Sequence, residues 1–183
     1  MSKSAIPERI IWLDLEMTGL DASADLILEV AAIITNWNFT ELGTYEGIVR
    51  NDEVALDSRL EANSAFWNLH PKTRSGLTEQ NNIGKNLEQI EDEVLAFIDE
   101  HFTSGKTVLL GGNSIHIDRR FITAYWPRLD ARLYYRMLDV TAWKVVMESK
   151  YGKRFTKPEV HRALEDIRGS IQELQYYLGK VQA

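Results

Sequence analysis

Asp14 and Glu16 stand two residues apart inside the apolar run Ile10 to Met17. If that run is a strand, side chains alternate, so both carboxylates share a face with Ile10 and Trp12 while Ile11, Leu13 and Leu15 cover the other. A strand that is apolar on both faces is buried, and two like charges a few Å apart in such a place cost several kcal/mol unless a cation compensates. The chain has no cysteine, which excludes disulfides, thiolate zinc sites, iron-sulfur clusters and thiol nucleophiles and leaves carboxylate and histidine as the chemical groups. The fitting compensator is a hard, oxygen-bound divalent ion. Two further acids are candidates: Asp118, after the glycine pair Gly111-Gly112, and Asp166, five residues after His161. Each has a plainer reading when taken alone. A D-x-E pair can sit at an exposed strand end, Asp118 can be a helix N-terminal acid favoured by the macrodipole, and His161 can be a solvated imidazole after Pro158.

The elements that must position these groups follow from periodicity. Ile10 to Met17, Leu26 to Ile34 and Leu42 to Arg50 read as a meander of three strands. After Asp57 the pattern turns helical, with a short piece from Ser64 to Leu69. Leu87, Ile90, Val94, Phe97 and Ile98 then recur at helical spacing behind Asn86 as N-cap. Thr107 to Leu110 is a strand ended by Gly111-Gly112, Ile117 to Trp126 a helix closed by Pro127, and Tyr134 to Val140 a strand. Thr141 to Tyr151 is a helix stopped by Gly152, and Leu164, Ile167, Ile171, Leu174 and Leu178 mark a final amphipathic helix. This order predicts an α/β fold, a ribonuclease-H-like mixed five-stranded sheet flanked by helices. On ideal helical geometry His161 and Asp166 do not align, so the histidine belongs just before that last helix.

The chain has 183 residues, of which 44% are hydrophobic and 26% charged, and no repeat or Pro/Gly-rich linker interrupts it. A single domain over residues 1–183 is expected. The net charge of −6 argues against a broad basic surface that coats nucleic acid. It does not exclude a small anionic substrate, because divalent ions cancel the acids that hold them. No stretch approaches a membrane-spanning run, and Met1 to Ile10 carries neither a signal-peptide core nor an Arg-rich transit pattern, so a cytoplasmic protein is expected. No G-x-G-x-x-G follows a strand and no Walker lysine loop occurs, so dinucleotide-cofactor and ATP readings lose their usual support.

Taken in order, Asp14-Leu15-Glu16-Met17-Thr18-Gly19, then Gly112-Asn113-Ser114 with Asp118, then His161-x-Ala163-x-x-Asp166, resemble the three-motif signature of the DEDD 3′-5′ exonuclease superfamily in its histidine-containing subclass. Within it the chain resembles the oligoribonuclease family through Trp12 to Asp21, Asp118-Arg119-Arg120-Phe121 and Tyr135 to Val140, over roughly residues 9 to 178. Ile117 before Asp118 and Glu165 before Asp166 depart from the pattern without removing an acid.

The resemblance implies two Mg²⁺ or Mn²⁺ ions held by Asp14, Glu16, Asp118 and Asp166, with His161 as the general base towards a bound water. The implied reaction is hydrolysis of short RNA, dinucleotides above all, to nucleoside 5′-monophosphates. Leu20 and Trp67 match an apolar wedge and a stacking wall for the bases. Ser114, with Arg136 and Thr141 from a partner subunit, matches a 5′-phosphate cap, and Tyr135 from the partner reaches towards the reaction centre. A homodimer with a composite active site is thereby implied. Lys72 stands where relatives often carry a phosphate-capping histidine, with His70 two residues earlier as the alternative. The competing readings are a proofreading or processive DNA exonuclease of the same superfamily, and a non-catalytic module that captures short nucleotides. The intact acid set and His161 favour activity, and the Trp67, Tyr135 and Arg136 set favours short RNA.

Overall fold

In the computed structural model, residues 7–103, 105–156 and 162–181 are described. A five-stranded sheet is built from β1 (Arg9–Met17), β2 (Ile27–Asn36), β3 (Glu41–Ile48), β4 (Val108–Gly112) and β5 (Leu133–Asp139), ordered β3-β2-β1-β4-β5. The first three strands pair antiparallel, whereas β4 runs parallel to β1 and β5 parallel to β4. The C-terminal ends of β1, β4 and β5 therefore lie at the same end of the sheet, the place where sites collect in folds with parallel strands.

The split of β1 into two apolar faces holds. Ile11, Leu13 and Leu15 pack into one core with Val94 and Ile98 of α4 (Leu87–His101) and with Phe121 and Ile122 of α5 (His116–Tyr125). Ile10 and Trp12 enter the opposite core against Ile167, Ile171 and Leu174 of α8 (Ala163–Val181). Each such fully buried side chain contributes about 1.5–3 kcal/mol relative to exposure. Trp12 also donates its indole N–H to Thr35 Oγ1 at 2.9 Å, so its one polar atom is satisfied. The expected Asn86 cap is a complete capping box with Gln89, and α7 (Val140–Tyr151) ends at Gly152, whose φ of 62° needs no Cβ.

Some elements differ from the sequence reading. Helix α1 (Glu53–Ala62) begins behind an Asp52 cap, earlier than expected, and α3 (Pro71–Gln80) follows α2 (Ser64–Trp67). These helices bury little, Leu56 and Leu60 in one and Leu77 in the other, so they show no apolar stripe to read. Pro127 does not merely close α5; it opens α6 (Pro127–Arg132) at its first turn, where a missing N–H costs nothing. A 3₁₀ turn spans Asn81–Ile83. No helix among the described residues is long and apolar enough to cross a membrane.

Candidate active site

Asp14 and Glu16 come from the end of β1 and Asp166 from the first turn of α8, and one carboxylate oxygen of each lies within 4.8 Å of the others. α8 reaches them because its apolar stripe lies on the same sheet face as Ile10 and Trp12. Asp118 approaches from the first turn of α5, only 4% exposed, and its Oδ1 accepts the backbone N–H of Leu15 at 3.0 Å, between the two acids of β1. The plain helix-acid reading of Asp118 is thus incomplete: its carboxylate ties α5 to the strand that carries the site.

The acids crowd one another. Burial first, then the closeness of Asp166, Glu29 and Asp118, push the Glu16 carboxyl up to about 7 against the opposing charge of Arg162. Burial likewise raises Asp118 to about 7 despite the Leu15 N–H. A set of converging oxygens that resist ionising together is what a hard dication relieves, and the acidic cluster fits a divalent metal ion.

A stability consequence follows for the protein kept in chelator. The folded pKa of Glu16 lies above its unfolded value of 4.5, so the folded state holds the proton more tightly. That contribution is complete below about pH 4.5 and is lost as pH rises through about 7. The shift corresponds to about 3 kcal/mol as an upper bound, less after solvent screening. Glu16→Gln is therefore expected to raise the metal-free melting temperature at pH 8 by several degrees and to leave it little changed at pH 5. Thermal melts at both pH values check this, and an equal shift at both would point to a different cause.

Glu29 was not anticipated. It sits opposite Glu16 in the β1–β2 register and is buried, and it accepts the Arg162 guanidinium at 3.0 Å and the Ala163 N–H at 3.3 Å. This clamps the first turn of α8, and with it Asp166, onto the sheet. A lone acid within the otherwise apolar run Ile27 to Ile34 was the available signal. His161, the expected base, lies outside the described residues, immediately before this clamp in sequence.

The loop after β1 carries Leu20 out to 61% exposure, consistent in position with a rim residue. Its anchor is Asp25, whose Oδ1 accepts from Thr18 Oγ1 at 3.0 Å, Arg59 Nη2 at 2.8 Å and Asn63 Nδ2 at 2.9 Å. Its other oxygen takes the Asp21 N–H at 2.9 Å. Burial alone would raise Asp25, but these bonds outweigh it and hold the carboxyl below its usual range. A Cβ on Gly19 would fall 2.5 Å from the Asp25 carboxylate and 2.6 Å from Asn63, so only glycine permits this close approach.

Trp67, expected as a stacking wall, is 1% exposed and packs with Leu28, Leu56, Leu60 and Leu77. Its indole N–H donates to the Thr18 carbonyl at 2.8 Å, so the ring braces the Leu20 loop.

At the end of β4, Ser114 adopts φ 48° and donates its N–H to Asp139 Oδ1 at 3.1 Å and to Thr141 Oγ1 at 2.8 Å. Asp139 also caps α7 through the Thr141 N–H. Thr141, expected from a partner subunit, is thus placed beside Ser114 of its own chain, because the cap folds the start of α7 over the Ser114 turn. Asn113 joins this turn to α8 through Ser170 Oγ and Glu173 Oε2, both at 3.0 Å. Tyr135 and Arg136 stand exposed on the edge strand β5, Tyr135 at 70%, with the guanidinium 5.0 Å from the Tyr135 ring centre. They are not gathered with the carboxylates within one chain, since β4 lies between β5 and β1. Lys72 is exposed in the first turn of α3, while the His70 ring lies 4.6 Å from that of Phe66.

Residues 11–174 match the RNase_T family model, described as an exonuclease. The chain is 41% identical over 179 residues to the oligoribonuclease of Corynebacterium glutamicum strain R, covering 95% of this chain and 80% of that protein. It is 41% identical over 180 residues to the oligoribonuclease of Francisella tularensis subsp. tularensis strain WY96-3418, covering 95% and 96%. Among solved structures, Escherichia coli Exonuclease I with a dA13 oligonucleotide superposes with a TM-score of 0.63 at 13% identity, covering 95% of this chain and 41% of that one. The zinc-bound form of its single-stranded DNA complex gives 0.67 at 12%, covering 94% and 41%. The chain spans about two-fifths of the length of those structures, and at such identities the likeness shows the fold: the expected ribonuclease-H-like sheet and its helices.

Proposed function

The chain belongs to the RNase_T exonuclease family, with the oligoribonucleases as its relatives over nearly its whole length, and from that premise we propose that it is a 3′-to-5′ exoribonuclease of short RNA. Its products are nucleoside 5′-monophosphates, and dinucleotides are its limiting substrate. The observation that carries the reading is the convergence of Asp14, Glu16 and Asp166 within 4.8 Å at the end of the sheet where Asp118 is fastened to Leu15.

In this reading Asp14, Glu16, Asp118 and Asp166 would hold two divalent ions, Mg²⁺ or Mn²⁺, which would activate a water and neutralise charge at the scissile phosphate. His161 takes the proton of the attacking water, a role suited to an imidazole that is neutral at working pH. The clamp of Glu29 on Arg162 and Ala163 keeps Asp166 in register with β1. Leu20 wedges against a base, and Ser114 and Lys72 meet the 5′ phosphate, Lys72 as a flexible point charge.

Tyr135 and Arg136 complete the site of a second copy in a homodimer, and their exposure on an edge strand supports that use. Residues 1–183 act as one exonuclease domain in the cytoplasm.

The test incubates purified protein with 5′-labelled RNA of two, five and twenty nucleotides and with matched DNA, with and without Mg²⁺. Metal-dependent hydrolysis fastest on the dinucleotide is expected. Preference for the long DNA would favour a processive DNA exonuclease, and binding without cleavage a capture module.

A further inference from the structure

We propose that Glu173, a buried carboxylate on α8, is a positioning residue: through Asn113 it fixes the turn that carries Ser114, and so sets where the 5′ phosphate of the substrate is met relative to the metal-holding acids. The proposal rests on the functional reading above, in which Ser114 meets that phosphate. Glu173 is 2% exposed, and among the described residues its carboxylate meets only neutral donors, the Asn113 amide at 3.0 Å on Oε2 and the Tyr177 phenol at 2.9 Å on Oε1. Neutral donors repay only part of what it costs to take a carboxylate out of water, and an apolar side chain would serve the packing of α8 better. The group is accounted for by what it holds.

What it holds is an amide that is not free to turn over. A carboxylate only accepts, so Asn113 Nδ2 must face Glu173, and the Asn113 oxygen is turned to Thr141, whose Oγ1 lies 3.4 Å away. The second acceptor of Nδ2 is Ser170 Oγ at 3.0 Å. Tyr177 is fully buried, and burial together with the Glu173 carboxylate beside it raises its phenol above the usual range. It therefore stays a donor and holds the other oxygen of Glu173 in place.

Both ends of this link belong to the site. On α8, Asp166, Ser170, Glu173 and Tyr177 recur at helical spacing along one face, and Ser170 Oγ donates to the Asp166 carbonyl at 2.9 Å. At the other end Asn113 directly precedes Ser114, which at φ 48° occupies the left-handed region, a conformation that persists in a residue with a side chain only where its surroundings hold it. Asp139 and Thr141 hold the Ser114 N–H from the side of α7, and Asn113 with Glu173 holds the same turn from the side of α8. Asp166 itself is kept by the separate clamp of Glu29 on Arg162 and Ala163. Loss of the Glu173 link therefore frees the phosphate end of the site and leaves the metal end in place.

The experiment compares a diadenylate that carries a 5′ phosphate with the same dinucleotide lacking it, measuring kcat and KM in Mn²⁺, the affinity for Mn²⁺ and thermal melting in wild type, Glu173→Met, Glu173→Gln and Asn113→Ala. Glu173→Met fills the space without an acceptor. It is expected to lose about 10- to 100-fold in kcat/KM on the phosphorylated dinucleotide, chiefly through KM, while the unphosphorylated one and the Mn²⁺ affinity change by no more than about two-fold. Glu173→Gln, whose amide oxygen still accepts from Asn113, should restore most of the loss. If Glu173→Met melts too low to assay, Asn113→Ala, at a half-buried position, is expected to show the same selective loss. A fall of equal size on both dinucleotides would make Glu173 a structural residue of α8, and an undiminished preference for the phosphate in Glu173→Met or Asn113→Ala would end the proposal. Glu173→Gln that falls as far as Glu173→Met would assign the effect to charge instead of to the bond with Asn113 and would overturn it too. Wild-type protein that neither binds nor cleaves either diadenylate overturns the functional reading, and wild type that treats the two alike removes the phosphate role of Ser114 and the positioning with it. A wild-type preference that survives the loss of Glu173 overturns only the positioning.

Discussion

Asp14→Asn is expected to lower turnover of a diribonucleotide by at least about 10²-fold while leaving the fold intact. The substitution keeps the side-chain volume on β1 but removes the charge that, with Glu16 and Asp166, converges within 4.8 Å. An amide oxygen is a weak ligand for a hard dication, so the variant should also need more Mn²⁺ to half-saturate, and electron paramagnetic resonance of free Mn²⁺ reads that directly. Asp118 needs a more careful variant. Alanine there would strip the acceptor from the buried Leu15 N–H, at a cost of about 1–3 kcal/mol in stability, whereas asparagine retains an oxygen for that bond. Asp118→Asn should therefore lose activity with little loss of structure. Initial rates at saturating Mn²⁺, with circular dichroism as the control for folding, decide the matter. Turnover within a few-fold of wild type in either variant would remove that residue from the metal-holding set.

Much of the scaffold was legible because its signals are local or periodic. The alternation in β1 announced which residues meet α4 and α5 and which meet α8, and both cores follow it. Asn86 and Gly152 mark helix ends through chemistry that needs no tertiary context. α1 and α3 escaped because they pack against a small third cluster through only a few leucines, leaving most of each helix polar on every side.

The supports of the site were illegible for a different reason. Glu29 and Asp25 act through partners far along the chain, Arg162 and Arg59, and nothing in either acid's neighbourhood in sequence names its partner. Trp67 shows the reverse. A family position suggested a stacking wall, and within this chain the hydrogen bond to Thr18 and the leucines around it bury most of that ring, while its neighbour Phe66 is the more exposed. Residue type and order located the chemistry; which ring faces water is decided by packing alone.

His161→Ala is the other variant for which a large effect is expected, a fall of about 10² to 10⁴ in single-turnover rate. The histidine precedes by one residue the Arg162 that Glu29 holds, and α8 carries Asp166 from the far side of the same clamp. Removing the imidazole leaves that clamp and the carboxylates in place, so Mn²⁺ affinity should stay within about two-fold of wild type, unlike the Asp14 variant. The pH profile separates the base from its acidic neighbours. In the metal-free protein Glu16 and Asp118 titrate at about 7, so at low metal the acid limb reports lost metal binding together with a protonated base. At saturating Mn²⁺ the carboxylates are held ionised, and the limb that remains should belong to the base, with rate rising as pH rises through it. His161→Ala should lose that limb and run nearly flat from pH 6 to 8. A variant that is slow but keeps the wild-type inflection would assign the proton to another group, and one that keeps wild-type speed would leave the attacking water without need of a protein base.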